Sequence, residues 1–280
     1  MSKQLLIYER ATPISSELHG DWSVQSGKNF AFAEGINSSP LLAAEFSAAA
    51  PEFSIIFAGT EDAVFPTVIL GFQDGQNIFV GKDGAWKGKY VTAFLRRYPF
   101  VFAESEGKDS FTLCIDEEFE GLNKEGKGER LFDSEGNRTQ YLSGILNFVS
   151  SYQGQYERTK LFCDRLVQLK VLDPAQARFS LPDGKTGSLA GFFTINRDKL
   201  KAIPQELLAE MFQNDELELC YLHLQSLNNI NTMAQHLDAA VGSETDAAVG
   251  SETDAAVGSE TDAAVGSETD AAVGSETDAA

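Results

Sequence analysis

Strand-like runs crowd the first half of this sequence, and helical periodicity fills the second. That order predicts an α+β fold, a mixed or antiparallel sheet with a helical C-terminal part, over a regular βαβ alternation. A third observation bounds the folded region. From Asp238 the octad Asp-Ala-Ala-Val-Gly-Ser-Glu-Thr runs five times without substitution, and Asp278-Ala279-Ala280 begins a sixth. An ordinary folded domain does not repeat so strictly. The reading is therefore an α+β domain over 1–237 and an acidic octad-repeat tail over 238–280, expected to be disordered. Eight residues at about 100° each leave Val241, Val249 and Val257 on different sides of any helix. One branched apolar residue per octad cannot offset the entropy of ordering the chain.

The elements follow in order. Leu5–Tyr8 is a short strand. Residues 11–39 are mostly loop, with Trp22, Phe30 and Phe32 as aromatic anchors. Ser39-Pro40 signals a helix start, Ser as N-cap and Pro at the first helical position, and Pro51 stops that helix. Ser54–Phe57 and Val68–Phe72 read as strands. Asp74-Gly75 and Asp83-Gly84 are turn signals that bracket Ile78-Phe79-Val80 in a hairpin or meander. Tyr90–Arg97 is a short helix ended by Pro99, and Phe100–Ala103 and Phe111–Ile115 return to strand. Glu117–Asn137 is polar and Gly-rich, a long surface loop.

Leu142, Ile145, Val149, Tyr152, Tyr156, Thr159, Cys163 and Leu166 then recur at spacings of three and four, a long helical face. Gly154 weakens it and leaves two shorter helices open. Ser180–Asn196 holds a strand pair around Asp183-Gly184, and Pro204–Phe212 and Glu216–Asn228 close the domain as helices.

Composition narrows the function classes. The formal charge is −20. With one Asp and one Glu per octad, no base, and Asp278, the tail carries −11 of it. An acidic body repels phosphate backbones and anionic membrane surfaces, so no nucleic-acid partner is expected. No stretch approaches the roughly 20 apolar residues that span a bilayer, so no membrane insertion is expected either. Cys114, Cys163 and Cys220 are odd in number, far apart and set among apolar residues, which suits buried thiols in a reducing compartment. The segment Met1–Arg10 has too short an apolar run for a secretory signal. These features favour the cytoplasm.

Several motifs fail on inspection. Gly121–Gly128 lacks the Ser or Thr that a P-loop needs after its Lys, and no helix follows to bind phosphate. Gly184-Lys185-Thr186 has the right ending but Phe179 where the first Gly belongs. Asp133–Asn137 starts like a calcium loop, yet Arg138 occupies the sharp-turn Gly position and Gly144 the bidentate Glu position. There is no Cys-x-x-Cys and no His-x₃-His, so no metal, cofactor or catalytic residue is assigned. Cys114-Ile115-Asp116 ends a strand, where a buried Cys is the commoner outcome. His223, among leucines, reads as a packed helix residue, and His236 lies at the domain end.

What remains is a set of binding residues. Arg96-Arg97-Tyr98-Pro99-Phe100 places two guanidiniums beside aromatics, able to grip a carboxylate or phosphate bidentately. The alternative is that both pair with acidic neighbours in an acid-rich domain. His19, in His19-Gly20-Asp21-Trp22, is the loop histidine beside a carboxylate and an aromatic. With Trp86 of Asp83-Gly84-Ala85-Trp86, the expected ligand-binding set is Arg96, Arg97, Tyr98, Trp86 and His19. The expected partner is a protein or a small acidic ligand.

From Leu18 to Leu227 the chain resembles the SapC family, the soluble bacterial family named after a surface-array protein locus and distinct from a transporter permease of that name. The blocks that carry the resemblance are Pro40–Phe46, Asp83–Trp86, Leu95–Phe100, Leu113–Asp116 and Leu131–Asp133, with Arg-Arg-Tyr-Pro-Phe and Asp-Gly-x-Trp the specific ones. The octad tail lies outside the family pattern. The resemblance implies a non-catalytic accessory or binding protein linked to the surface layer or envelope, and carries no catalytic residue with it. Envelope association would require export without a recognisable signal peptide. Neighbourhood of such genes to receptor and halogenase-like genes implies the other reading, an enzyme or small-molecule-binding protein of nutrient uptake or modification.

Overall fold

Every strand pairing in the described residues is antiparallel, and the strands form three sheets. The computed structural model describes residues 7–25, 27, 29–104, 111–180, 184 and 186–234; the octad tail and His236 lie outside them. In chain order the elements are β1 Ala11–Pro13, α1 Ser16–His19, β2 Ser23–Val24, β3 Ser38–Pro40, α2 Phe46–Ala49, β4 Ile55–Thr60, β5 Ala63–Ile69 and α3 Ala93–Arg96. They continue with β6 Phe100–Glu104, β7 Phe111–Asp116, β8 Leu122–Asn123, β9 Glu129–Arg130, α4 Gln140–Gln168, β10 Leu172–Ser180 and β11 Thr186–Ile195. Helices α5 Arg197–Lys201, α6 Gln205–Gln213 and α7 Glu216–Ser226 follow. The larger sheet runs β10-β11-β4-β5-β3, and two smaller ones run β1-β7-β6 and β8-β2-β9.

Two cores share one helix. Thr139 caps α4, its hydroxyl accepting from Leu142 N at 3.2 Å. The first half of α4 places Leu142 and Val149 in a small core with Val24, Phe100, Ile115 and Leu131. The second half places Tyr152, Phe162, Cys163 and Leu166 in the main core against β4, β5 and β11. Gly154 does not divide the helix, because buried residues on both sides of it hold the segment by tertiary packing, which outweighs local propensity. Thr159 adds a polar tie: its hydroxyl accepts from Ala43 N at 2.9 Å and donates to Gln155 O at 2.7 Å.

The structure moves several sequence boundaries. The helix read from Ser39-Pro40 begins later, with a 3₁₀ turn at Ala43–Glu45 followed by α2. Ser39 is buried in β3 opposite Val68, and its hydroxyl bonds Thr92 Oγ1 at 2.8 Å instead of capping. Leu5 and Leu6 lie outside the described residues; the first described strand is Ala11–Pro13. Ile78–Val80 contributes one isolated bridge, Val80 to Trp86, across the Asp83-Gly84 turn. The glycines of the P-loop-like stretch serve the smallest sheet. A side chain at Gly121 or Gly128 would meet Gln25 O at 2.4 Å or Val24 O at 2.3 Å, where β2 runs between β8 and β9.

The last strand pair begins at Leu172, earlier than the Asp183-Gly184 turn suggested. Phe179 faces Gly187 across it, and a Cβ there would sit 2.3 Å from the ring. The ring therefore lies over the glycine and packs on Phe72, 4.3 Å between centroids.

Candidate functional site

Arg96 and Arg97 are consecutive at the end of α3, so they leave the short helix in different directions. Arg97 turns inward. It is 2% exposed, with its guanidinium 4.5 Å from the Tyr152 ring, 4.8 Å from Phe94 and 5.8 Å from Tyr8. It also hydrogen-bonds with the Tyr8 hydroxyl, which itself donates to Phe100 O at 2.7 Å. Burial pushes the Tyr8 phenol far up, against the pull of the Arg97 charge, and raises Tyr152 to about 12 for the same reason. The positive charge is thus held among ring faces, the arrangement in which a cation over aromatics is worth most.

Arg96 turns outward, with its side chain 46% exposed. Its guanidinium lies 5.6 Å from the centroids of both Tyr90 and Phe148, and Nη2 donates to the Tyr90 hydroxyl at 3.3 Å. Its carboxylate neighbour among the described residues is Glu45, with Oε1 at 4.0 Å from Nη2. That carboxylate is nearly buried and already accepts from Ala93 N, the Tyr90 hydroxyl and Leu42 N at 2.6, 2.8 and 2.9 Å. Glu45 therefore caps two chain turns at once and spends little on Arg96. Desolvation first, then the Glu45 charge, pushes the Tyr90 phenol up to about 12, so it stays a neutral donor.

Tyr98 and Trp86 join this region through rings. Tyr98 stacks on Phe32 at 4.2 Å and meets Tyr8 edge-on at 5.3 Å. Its hydroxyl donates to Asp116 Oδ2 at 3.3 Å, and burial with that carboxylate raises the phenol strongly. Trp86 packs on Phe79 and Phe30, and Phe30 in turn touches Phe32. The Trp86 indole donates to Tyr90 O at 2.9 Å. Arg96, Arg97, Tyr98 and Trp86 therefore belong to one aromatic network, though only Arg96 of the two guanidiniums faces outward. The Tyr98–Pro99 bond within it is cis.

His19 lies apart. It is fully buried at the end of α1, with Nδ1 accepting from Ser15 N at 3.3 Å, which leaves Nε2–H to face Glu117 Oε1 at 3.3 Å. Glu117 also pairs with Arg10 at 3.1 Å. Next to it the buried Asp116 carboxylate accepts from Glu9 N, Arg10 N and Glu118 N, fastening the segment before β1 to the end of β7.

The residues that complete the Arg96 surface, Tyr90, Phe148 and Glu45, come from three separate segments. Glu45 had a signal, since it sits in the Pro40–Phe46 block, and so did Phe148, which stands three residues after Ile145 and four before Tyr152 in the helical spacing of α4. The three cysteines are free and buried, and burial raises each thiol. Asp133 forms a closed turn: Oδ1 accepts from Glu135 N and Asn137 N at 2.9 Å each, which holds its carboxyl below the usual range. Among the described residues no group of three or more His, Cys, Asp or Glu is placed to hold a metal ion, and no helix is long and apolar enough to cross a membrane.

No curated protein and no solved structure matches the chain. A family model does, the one described as SapC, over residues 14–233, which takes in the buried residues of both cores, α3 and the aromatic network around it except Tyr8. The chain belongs to the SapC family.

Proposed function

We propose that this SapC-family chain is a non-catalytic accessory or binding protein and that Arg96 is the group it presents to an acidic group on a partner. The observation that carries this reading is the guanidinium held over Tyr90 and Phe148, oriented by one hydrogen bond and half exposed, with its nearby carboxylate committed to backbone donors. An orientation fixed in advance lowers the entropy lost on binding, and a planar fork matches a carboxylate in a way an ammonium does not. Gly144 supports the same surface. It lies one helical turn before Phe148 on the same face, with open space where a side chain would be. Arg97, Tyr98 and Trp86 back this surface, and His19 fixes the α1 end of the fold. The family name connects the partner to the bacterial surface layer or envelope. Three free, buried thiols favour the cytoplasmic side of that envelope.

The test compares wild type, Arg96→Lys and Arg96→Ala, each immobilised and exposed to envelope and soluble fractions of the source cells. A partner retained by wild type should bind roughly ten-fold more weakly to Arg96→Lys, the loss expected for one charge-assisted hydrogen bond. Retention by Arg96→Ala at the wild-type level, with an unchanged melting temperature, would refute the role of Arg96.

A further inference from the structure

A cleft of about 910 Å³ opens between β7, the Asp133–Arg138 turn and the first two turns of α4. It shares no lining residue with the aromatic network, and its walls are chemically graded. One end is polar: Ser16 abuts Gly136, and Ser15, Asn137 and Arg138 line the same region. The rest is mainly apolar, built from Ile14, Leu113, Phe132, Leu142, Leu146 and Phe111, with Thr112 among them. Phe111 and Leu146 also line a second groove of about 680 Å³, which runs along α4 past Phe102 to Gly154 and ends among Ser150, Gln153 and Glu157. Gly154 is exposed, with nothing within 4 Å of a Cβ placed there. A glycine inside a helix is destabilising by about 1 kcal/mol against alanine. Packing within the described residues does not require it.

Arg138 is the one charged residue among the described residues lining the larger cleft. In a chain with 42 acidic and 22 basic residues it has no ion pair among the described residues. Its own turn is closed without it, because Asp133 is committed to Asn137 and Glu135, and a backbone bridge joins Phe132 to Arg138. A cation at the polar end of an apolar trough fits an anion with an apolar tail. Its volume lies within the range of ligand sites, which combine apolar walls with a few polar groups. Along α4 the rise from Gln140 to Leu146 is about 9 Å at 1.5 Å per residue, and Arg138 lies two residues before the helix begins.

We infer that this cleft binds a small amphiphilic anion of the acyl-carboxylate class, its carboxylate on Arg138 and its chain along Leu142 and Leu146 toward Phe111.

The full chain is titrated calorimetrically with decanoate, decanol and decyltrimethylammonium, all below their micelle-forming concentrations. Decanoate should bind saturably at one site, roughly ten-fold tighter than decanol, and the ammonium more weakly than either. Arg138→Gln should bring decanoate down to the decanol level, and Phe111→Asp, at an exposed position, should weaken both while the melting temperature stays close to wild type. Absence of saturable decanoate binding, equal binding of decanoate and the ammonium, or an Arg138→Gln variant that keeps the decanoate preference would each overturn the inference.

Discussion

His223 shows how much one buried side chain ties together. Its Nε2 accepts from Ile195 N at 3.1 Å, its ring lies 4.9 Å from Phe57, and its carbonyl takes the Ser226 hydroxyl at 2.7 Å. Ser226 in turn accepts from Ile55 N and its carbonyl receives the Ser54 hydroxyl, so α7 is pinned across β4 and β11. Burial holds the imidazole down to about 4, against an ordinary 6.5, the backbone of Ile55 offsetting this in part. The unfolded chain then takes up the proton first as pH falls. Stability from this group is complete above about pH 6.5 and declines toward pH 4, by about 3 kcal/mol at full extent. Urea unfolding of wild type between pH 7.5 and 4.5 should show that slope, and His223→Gln, which cannot titrate, should flatten it. A slope unchanged in the variant would place the acid sensitivity elsewhere. The two consecutive arginines give a second contrast at this scale. Arg97→Lys gives up planar contact with three rings in a buried site and should destabilise by about 1–3 kcal/mol. Arg96→Lys should stay within about 0.5 kcal/mol, as exposed substitutions do. Thermal melts of the two variants side by side check this, and equal losses would refute the inward–outward assignment.

At the scale of elements, α4 shows where local sequence speaks and where it misleads. The three-and-four spacing of Leu142, Ile145, Val149, Tyr152, Tyr156, Thr159, Cys163 and Leu166 pointed to it, and all of these but Ile145 and Tyr156 are buried, together with Phe162. Gly154 suggested a break because propensity is a local quantity, whereas this helix is held by two cores that no local window contains. Ser39-Pro40 misled for the same reason, its cap chemistry losing to a strand position beside β5 and a hydroxyl partner 53 residues away. The two-residue strands of the smallest sheet had no periodicity to betray them, and only the glycines at 121 and 128 carried a trace. Gly144 and Gly154 yield a prediction. Neither needs a left-handed backbone, and neither faces an atom within 4 Å. Alanine at each should raise stability by roughly 0.5–1 kcal/mol. The two effects should add, since the sites are about 15 Å apart along the helix. A loss of stability in either variant would mean that the backbone there is not plain helix.

Across the whole molecule, the fold class followed from the order of strands and helices, while the surfaces of interest did not. The Arg96 platform gathers Glu45, Tyr90 and Phe148, and the graded cleft gathers residues from near 14, 111, 136 and 146. Such assemblies depend on strand pairings, β1 with β7 for instance, that span more than a hundred residues and leave no mark in either segment alone. The tail makes the opposite case, since its repeat is plain in the sequence. Its composition offers no core: one valine per octad, and two acids that add repulsion to an already acidic body. Met233 and Ala234, by contrast, are buried against the domain, so a cut must fall beyond them. Truncation after Leu237 should therefore leave the melting midpoint within about 1–2 °C of the full chain, in keeping with the small effect of changes outside the core. It should also leave the Arg96 surface and the cleft intact, so partner retention and decanoate binding serve as further readouts. A lower or broadened transition would show that the octads contribute to folding, and a melting point several degrees higher would show that their charge destabilises the body.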